Sequence, residues 1–337
     1  MNISGLLGVR RLGLAATVMA ATLAMGLATA SPAAASPAGF AWTIKDTLFV
    51  VGTGHGDRIA LRLEAGTTDT LEVDFGDDGS ADRSFDRNRF SRIAVFAGSG
   101  NDRFRVDQVN GLFADEAITV YGGSGNDVLD GGDGVERFFG GSGRDAVDGN
   151  RGNDTAYLGS GRDSFRWDPG DGSDVVEGDS GTDTLDFNGA AGVENMSLEP
   201  NGRRSLFLRD AGNIRMDMDN VERLDLTALE AVDTVTVEDM SGTDFRRADV
   251  DLSATAGGGD AAADVVTVNG TTDDDEIEVE ARGARVDVEG LQTKVRVTGS
   301  ETIDSLQING LEGDDDVDVD DDVEDLIGVV VDLGADQ

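Results

Sequence analysis

The sequence contains no cysteine and a single histidine, and both shortages exclude whole classes of protein. Without cysteine there is neither a disulfide framework to hold a secreted fold together nor a thiol for a lipid anchor. Because His55 is the only imidazole, an HExxH zinc protease is excluded, and any Ser-His-Asp triad would have to include His55. The surrounding GTGHGD is a repeat-like turn, so we expect His55 to be a solvent-exposed turn residue.

Basic residues are also scarce, since 27 Lys and Arg stand against 67 Asp and Glu, for a net charge of -40. A chain this acidic is a poor ligand for nucleic acid or for an anionic membrane, and we expect neither as a partner. A cation is the partner that this charge favours.

Long apolar segments are confined to the N-terminus, where Arg10 and Arg11 precede an apolar run over residues 12–27. The run is shorter than the ~20 apolar residues of a membrane span. Ala28-Thr29-Ala30 offers a cleavage site of the A-x-A type. We therefore predict a signal peptide of the Sec type at residues 1–30, a linker at 31–40 and a secreted, extracellular protein, with twin-arginine export left open by the paired arginines.

The rest of the chain is rich in glycine, with 47 residues, and its apolar residues are mostly Val, Leu, Ile and Ala. This composition, with alternating runs such as TLEVDF and ARVDVEG between Gly/Asp turns, predicts an all-β fold. We divide it into an N-terminal β-solenoid region at 41–121, a repeat region at 122–188 and a C-terminal degenerate β-repeat region at 189–337, where a wider β-helix or sheet should continue the roll. Any brief helix should lie near residues 110–116 or 221–231.

A nine-residue repeat begins at Gly122 and reads GGSGNDVLD, GGDGVERFF, GGSGRDAVD, GNRGNDTAY and LGSGRDSFR without a gap. After an insertion with Pro169 and Gly170, the pattern continues to about Phe187. Fixed self-similarity implies one structural unit stacked many times. The first six residues of a unit predict a turn and the last three a short strand, so two units would make one coil. The apolar residues at position eight should form the core: Leu129, Phe138, Val147, Ala156 and Phe165.

Stacking such coils aligns Asp127, Asp145 and Asp163 along one edge, and Glu136 and Asp154 along the other. One modest apolar side chain per unit contributes about 2 kcal/mol, against roughly 1–2 kcal/mol of backbone entropy for every ordered residue, so the coil needs a ligand. Several Ca²⁺ ions between coils would take carboxylate and turn carbonyl oxygens as ligands. The predicted metal-binding residues are Asp102, Gly122, Gly123, Gly125, Asp127, Gly131, Gly132, Gly134, Glu136, Gly140, Gly141, Gly143, Asp145, Gly149, Gly152, Asp154, Gly161, Asp163, Asp174 and Asp183.

These units resemble the hemolysin-type, or RTX, calcium-binding repeat with its nonapeptide G-G-x-G-x-D-x-U-x. The resemblance implies a right-handed parallel β-roll that binds Ca²⁺ in its turns and folds when secretion exposes it to high calcium. It also implies that Asp127 and Asp145 share one ion, Asp145 and Asp163 another, and Glu136 and Asp154 a third. Glu136 departs from the motif, and its longer side chain puts the third site in doubt.

Outside the array, the same spacing of an aspartate two residues before an apolar strand residue recurs at Asp57, Asp102, Asp275 and Asp315. We favour metal binding at Asp102, whereas at Asp57, Asp275 and Asp315 we favour a solvated turn and keep metal binding as the alternative. Residues 74–82, DFGDDGSAD, partly match a DxDxDG calcium loop but lack its bidentate Glu, which favours an ordinary hairpin turn. The acidic run DDDVDVDDDVED at 314–325 is expected to be a solvated strand edge.

Three classes of function remain to be compared. We favour a non-enzymatic calcium-binding structural or interaction module, whose cell-surface or extracellular-matrix partner the sequence does not identify. The alternatives are a calcium-stabilised adhesin and a polysaccharide-acting enzyme on a β-helix, although the aromatic residues that usually hold a sugar are few. A pore-forming toxin is disfavoured because no amphipathic helical segment could enter a bilayer.

Overall fold

Strands alternate between two sheets along the whole of residues 39–334, the part of the chain that this computed structural model describes. The predicted signal peptide and residues 31–38 of the predicted linker lie outside that part. Gly39 is buried because the Phe75 ring packs over it. Phe40, the last residue of the predicted linker, already begins the first strand.

The strands follow one another closely, most of them four to eight residues long. In chain order they are β1 (Phe40–Ile44), β2 (Thr47–Val51), β3 (Arg58–Leu63), β4 (Thr70–Phe75), β5 (Arg83–Asp86), β6 (Arg92–Ser99), β7 (Arg103–Val106), β8 (Ala117–Ser124), β9 (Val128–Gly132), β10 (Glu136–Gly143), β11 (Ala146–Asn150), β12 (Thr155–Gly161), β13 (Ser164–Trp167), β14 (Val175–Glu177), β15 (Ser180–Gly181), β16 (Thr184–Asn188), β17 (Asn195–Asn201), β18 (Arg204–Arg209), β19 (Ile214–Asp219), β20 (Arg223–Thr227), β21 (Thr234–Val237), β22 (Arg247–Asp251), β23 (Val265–Asn269), β24 (Glu276–Ala281), β25 (Arg285–Glu289), β26 (Lys294–Thr298), β27 (Ser305–Asn309), β28 (Asp316–Val319) and β29 (Gly328–Asp332).

Helical structure within residues 39–334 is limited to two single 3-10 turns, Arg87–Arg89 and Val323–Asp325. The expectation of a brief helix near 110–116 or 221–231 is therefore wrong. The second of these segments contains β20, where Leu224 and Leu226 alternate into the core in strand fashion. Among the described residues, there is no helix long and apolar enough to cross a membrane.

Across the repeat array, each coil contributes at least one strand to each of the two sheets. The first sheet runs β1-β2-β6-β8-β10-β12-β14-β19-β18-β17-β21-β23-β27-β29, with β15 beside β12, and the second runs β28-β24-β25-β26-β22-β20-β16-β13-β11-β9-β7-β3-β4-β5. In the repeat array the neighbours are parallel, and paired residues lie 18 positions apart, as in Val147 opposite Leu129. Two nonapeptides therefore form one coil of a parallel β-roll.

The core lies between the two sheets. The five predicted core residues Leu129, Phe138, Val147, Ala156 and Phe165 are at most 1% exposed, which confirms the assignment of position eight to the interior. The same alternation continues into the flanking regions, for example at Val266, Val268, Leu306 and Ile308. Buried apolar area of this kind stabilises each coil against its neighbours on both sides.

The flanking regions differ from the array by antiparallel insertions. One antiparallel pair joins β1 to β2. Three further insertions are antiparallel triplets in which the middle strand pairs with both others: β3-β4-β5, β17-β18-β19 and β24-β25-β26. Each insertion adds strands to one of the two sheets, so the C-terminal region continues the roll as sheet, one of the two expected alternatives. Residues 39–334 belong to one compact unit.

Candidate metal centre

Buried acidic residues stand immediately before successive strands of the second sheet. Each carboxylate after the first accepts a hydrogen bond from the backbone N–H of the corresponding acidic residue one coil earlier, at 2.7–2.9 Å. We call this series the first ladder, and its members are Asp57, Asp102, Asp127, Asp145, Asp163, Asp183 and Glu222. The column predicted from Asp127, Asp145 and Asp163 is therefore real, and it extends two coils towards the N-terminus and two towards the C-terminus.

A second ladder precedes strands of the first sheet in the same way. The Asp154 carboxylate accepts from the Glu136 N–H at 2.7 Å, and the Asp174 carboxylate accepts from the Asp154 N–H at 2.7 Å. Glu136 and Asp154 therefore occupy adjacent coils at the opposite edge from the first ladder, as predicted. Asp102, Asp174 and Asp183 also take the ladder positions expected of them.

Two more ladders lie in the C-terminal region. The third comprises Glu194, Asp233, Asp264 and Asp304, with bonds of 2.8–3.0 Å. The fourth joins Asp275 to Asp315 at 2.9 Å. Sequence reasoning singled out Asp275 and Asp315 but missed the third ladder, although DTVTV and DVVTV each place an aspartate two residues before an apolar strand residue.

One oxygen of many ladder carboxylates has no hydrogen-bond partner. Within residues 39–334, every buried carboxylate oxygen in this condition is an Oδ2 atom of a ladder aspartate. These residues are Asp102, Asp127, Asp145, Asp154, Asp163, Asp183, Asp233 and Asp315. Because a buried, unsatisfied carboxylate oxygen is costly, a ligand is expected at each of them.

The backbone of the preceding turn identifies the same eight residues. In each of their turns the residues four and two positions before the aspartate both have positive φ angles. We call such a turn an open turn. The pairs are Gly98 and Gly100, Gly123 and Gly125, Gly141 and Gly143, Asn150 and Gly152, Gly159 and Gly161, Asp179 and Gly181, Leu229 and Ala231, and Leu311 and Gly313.

In contrast, the first carboxylate of each ladder is hydrogen-bonded to the backbone of the turn that precedes it. It accepts a hydrogen bond from the N–H four residues earlier, at 2.5–2.9 Å, and we call this a closed turn. The closed turns end at Asp57, Glu136, Glu194 and Asp275. Glu136 therefore differs from the open-turn residues, because its carboxylate accepts from the Gly132 N–H at 2.9 Å; side-chain length is not the cause, since the turns before Asp57 and Asp275 are closed in the same way.

Glycine five residues before the carboxylate makes room for the second oxygen. A methyl group at Gly122 would lie 2.6 Å from Oδ2 of Asp127 and 2.6 Å from the carbonyl oxygen of Gly140 on the next coil. Gly131, Gly140 and Gly149 are similarly crowded by a ladder carboxylate and, for Gly131 and Gly140, by a carbonyl oxygen of the next coil. Carboxylate and carbonyl oxygens of neighbouring coils therefore approach each other beside these glycines.

The other turn glycines allow the coils to approach closely. A methyl group at Gly143 would lie 1.8 Å from the Gly125 carbonyl oxygen, and Gly123, Gly125, Gly141, Gly152 and Gly161 are equally close to the coil before them. Gly132 and Gly134 differ, because they face the Val106 and Glu136 side chains. Of the predicted glycines, only Gly125, Gly134 and Gly152 lie in bends, and the others belong to the C-terminal parts of strands β8 to β12. The expectation of a six-residue turn and a three-residue strand in each unit is therefore wrong, because the close approach of the coils extends the strand pairing into the glycines.

Burial has a large effect on these carboxyl groups. Desolvation, as the main cause, raises the pKa of Asp145, Asp174, Asp183 and Asp233 to about 7 and that of Asp154 to about 9. Desolvation likewise raises the pKa of Glu136 to about 7 and that of Asp102 to about 6, and it raises the pKa of Asp127 and Asp163. A bound cation would offset this cost by favouring the ionised form.

The donor set fits a hard cation. All candidate ligands are oxygens, which Ca²⁺ takes six to eight at a time, whereas zinc sites use cysteine and histidine. Within residues 39–334 no three Asp, Glu, His or Cys side chains form a metal-binding group. Turn carbonyls must therefore supply most of the oxygen ligands of any bound ion. The ladder aspartates would supply the negative charge that balances the charge of the ion.

The remaining sequence candidates have simpler surroundings. Asp74 accepts from Gly79 N–H at 2.9 Å and from Arg62 at 2.8 Å, so residues 74–82 form a hairpin turn. His55 is exposed in its turn, as predicted. Asp316 and Asp318 are exposed on the outer side of β28, which confirms a solvated strand for that part of the acidic run.

Comparison with known families identifies the array. The RTX calcium-binding nonapeptide repeat (4 copies) matches residues 119–147, 130–165 and 170–191. A comparison with curated proteins found no match. Among solved structures, the crystal structure of the extracellular lipase LipA from Serratia marcescens matches at 11% identity and a TM-score of 0.20, over 64% of this chain and 43% of the lipase. This chain thus spans less than half of that lipase, and a TM-score this low supports no argument about function.

Proposed function

We propose that this chain, which carries RTX calcium-binding repeats within a β-roll, is a secreted protein whose roll folds on binding several Ca²⁺ ions and then serves as a structural or interaction module. The observation that carries the proposal is the series of eight buried Oδ2 atoms without partners, each behind an open turn. Six of them lie between Asp102 and Asp183, in or next to the matched repeats.

Electrostatics explains why folding should depend on the ion. The net charge of -40 and the close stacking of buried carboxylates both oppose the compact state. A cation between coils converts that repulsion into attraction and binds only the folded form, so its binding free energy becomes folding free energy. At the ~0.1–1 mM affinities typical of extracellular modules, the roll would be largely unfolded at cytosolic calcium and folded outside the cell.

The N-terminal sequence supports secretion, because Arg10, Arg11, the apolar run at 12–27 and the Ala28-Thr29-Ala30 motif have the order of a signal peptide. Export would deliver the chain from low to high calcium. N-terminal sequencing of exported protein should find a chain that begins after Ala30, and an intact N-terminus would contradict this part of the proposal.

We favour a non-enzymatic role over that of a polysaccharide-acting enzyme. A cavity of about 360 Å³ on the outer side of the second sheet contains the adjacent carboxylates of Asp225 and Asp249. The two residues lie opposite each other on neighbouring strands, and burial is the main cause that raises the pKa of Asp225 to about 6. Asp249 is also bonded to Arg247 at 2.8 Å, which makes the pair part of an ion-pair network.

Isothermal titration calorimetry of the chelator-treated protein tests the binding step. We expect several Ca²⁺ ions to bind per chain and Mg²⁺ to bind far more weakly, because Mg²⁺ gives up its water shell reluctantly and demands octahedral geometry. Equal binding of both ions would indicate diffuse charge attraction. The absence of any calcium binding at 1 mM would overturn the proposal.

A further inference from the structure

The turn before Asp233 contains no glycine, yet it is an open turn. Residues 228–233 read ALEAVD, and Leu229 and Ala231 have φ angles of 71° and 89°. Gly123 and Gly125 hold the same positions before Asp127, with φ angles of 111° and 126°. Left-handed conformations are costly for residues with a side chain, so neighbouring structure must impose them here.

Asp233 has the same surroundings as the array aspartates. Its side chain is buried, with 0% of the residue exposed, and its carboxylate accepts from the Glu194 N–H at 2.8 Å. Its own N–H donates to Oδ1 of Asp264 at 2.8 Å. Its Oδ2 atom is buried and has no hydrogen-bond partner among the described residues.

Charge compensation differs along this ladder. Arg209 pairs with Glu194, its Nε donating to Oε1 at 2.6 Å, so the first carboxylate has a cationic partner. Within residues 39–334, neither Asp233 nor Asp264 forms an ion pair. Ladder carboxylates on adjacent coils are therefore buried together without a positive charge, and the unsatisfied oxygen belongs to Asp233.

We infer that Asp233 binds a divalent cation, Ca²⁺, in this glycine-free turn between the coils of Asp233 and Asp264. The inference rests on the proposed calcium-binding function and extends it beyond the matched repeats, into the C-terminal half of the chain. Turn carbonyls would supply the other oxygens, as proposed for the array. The ion would join coils separated by 31 residues of sequence, where no nonapeptide marks a site.

The test is the calcium content of full-length Asp233→Asn, measured by equilibrium dialysis at 1 mM free Ca²⁺. Asparagine keeps an acceptor for the Glu194 N–H but removes the charge. We expect the variant to lose at least one ion per chain. Asp239→Asn is the matched control, because both Asp239 oxygens already accept from Ser241 at 2.8 Å, and we expect it to keep the full count.

Hydrogen exchange separates a lost site from a misfolded chain. In the wild type, calcium should slow exchange at residues 228–237; in Asp233→Asn that protection should fall at least about tenfold, while residues 122–187 keep theirs. An unchanged ion count in Asp233→Asn would mean that Asp233 holds no ion, and the inference would be wrong. In that case Asp145→Asn would still reduce the count if the proposed function holds. A wild-type chain that binds no calcium would overturn both.

Discussion

The Asp145 carboxylate accepts the backbone N–H of Asp127 at 2.8 Å, and its second oxygen, Oδ2, is buried without a partner. The Asp145 N–H donates in turn to Asp163 at 2.8 Å. One residue therefore links three consecutive coils. Its position in the middle of the longest ladder makes it the place where loss of a single charge should matter most.

We expect Asp145→Asn to raise the Ca²⁺ concentration at the folding midpoint by about tenfold or more. Bonds to charged groups are worth about 1.5–3 kcal/mol, and 1.4 kcal/mol corresponds to a factor of ten. Far-UV circular dichroism during a calcium titration measures the midpoint. The control is Asp186→Asn on the outer side of β16, where Asp186 lies 3.4 Å from Arg166, and its midpoint should shift less than twofold. Equal shifts would assign the effect to net charge rather than to a site.

Gly140→Ala should destabilise the calcium-bound protein by about 1–3 kcal/mol, the usual cost of overpacking. The added methyl group would lie 2.4 Å from the Leu158 carbonyl oxygen and 2.8 Å from Oδ2 of Asp145. Chemical denaturation in saturating calcium gives the free energy of unfolding. Gly192→Ala is the control, since no atom lies within 4 Å of its methyl position and its φ angle is not positive. The steric explanation fails if the two variants unfold alike.

The stability of the metal-free protein should fall as the pH rises from 5 to 8. Burial raises the pKa of Asp145 and Asp183 to about 7 and that of Asp154 to about 9, from an ordinary value of 3.8. The folded chain therefore binds more protons than the unfolded chain in this interval, and its stabilisation is lost as the pH passes the folded pKa values. Thermal unfolding in chelator at several pH values tests the direction.

Saturating calcium should remove that dependence, because Ca²⁺ and protons compete for the same carboxylates and the ion keeps them ionised in the folded chain, as they already are in the unfolded chain at pH 6 and above. The free energy of unfolding in saturating calcium should therefore change little between pH 6 and pH 9. Asp154→Asn should flatten the metal-free pH dependence. A metal-free stability that increased with pH would show that the ladder carboxylates are already ionised at pH 5.

An aromatic stack on the outer side of the first sheet should contribute independently of calcium. Phe96, Tyr121, Phe139 and Tyr157 lie face to face with ring centroids 4.7–4.9 Å apart. Phe139→Ala removes two contacts and should lower the free energy of unfolding by about 2 kcal/mol, with an unchanged ion count. Val135→Ala, at a side chain 62% exposed, should change it by less than about 0.5 kcal/mol. A reduced ion count in Phe139→Ala would connect the stack to the turns.

Much of the array could be predicted because its period is short and regular. Glycines and an aspartate every nine residues indicated the turns, and one apolar residue per unit indicated the core, so Leu129 and Phe165 were placed correctly. The pairing of Asp127 with Asp145 followed from two units per coil. The same logic found Asp275 and Asp315, because NGTTDDD and NGLEGDDD still contain glycine and aspartate in order.

The third ladder was hidden because its coils are longer and irregular. Asp233 and Asp264 are 31 residues apart, and Asp264 and Asp304 are 40 apart, so no fixed period connects them. The positive φ angles at Leu229 and Ala231 carry no sequence signal, since tertiary structure imposes what glycine would permit. The antiparallel insertions, such as β17 to β19, were also missed because their strands have the same alternation as parallel ones.

The most direct test of the account is far-UV circular dichroism of residues 31–337 during a Ca²⁺ titration, with Mg²⁺ as the control. We predict little β signal in chelator and a cooperative rise with Ca²⁺ in the ~0.1–1 mM range, with no equivalent rise in Mg²⁺. A β spectrum already complete in chelator at pH 7.5 would contradict the account, because it would mean that the two sheets hold the ladder carboxylates together without a cation.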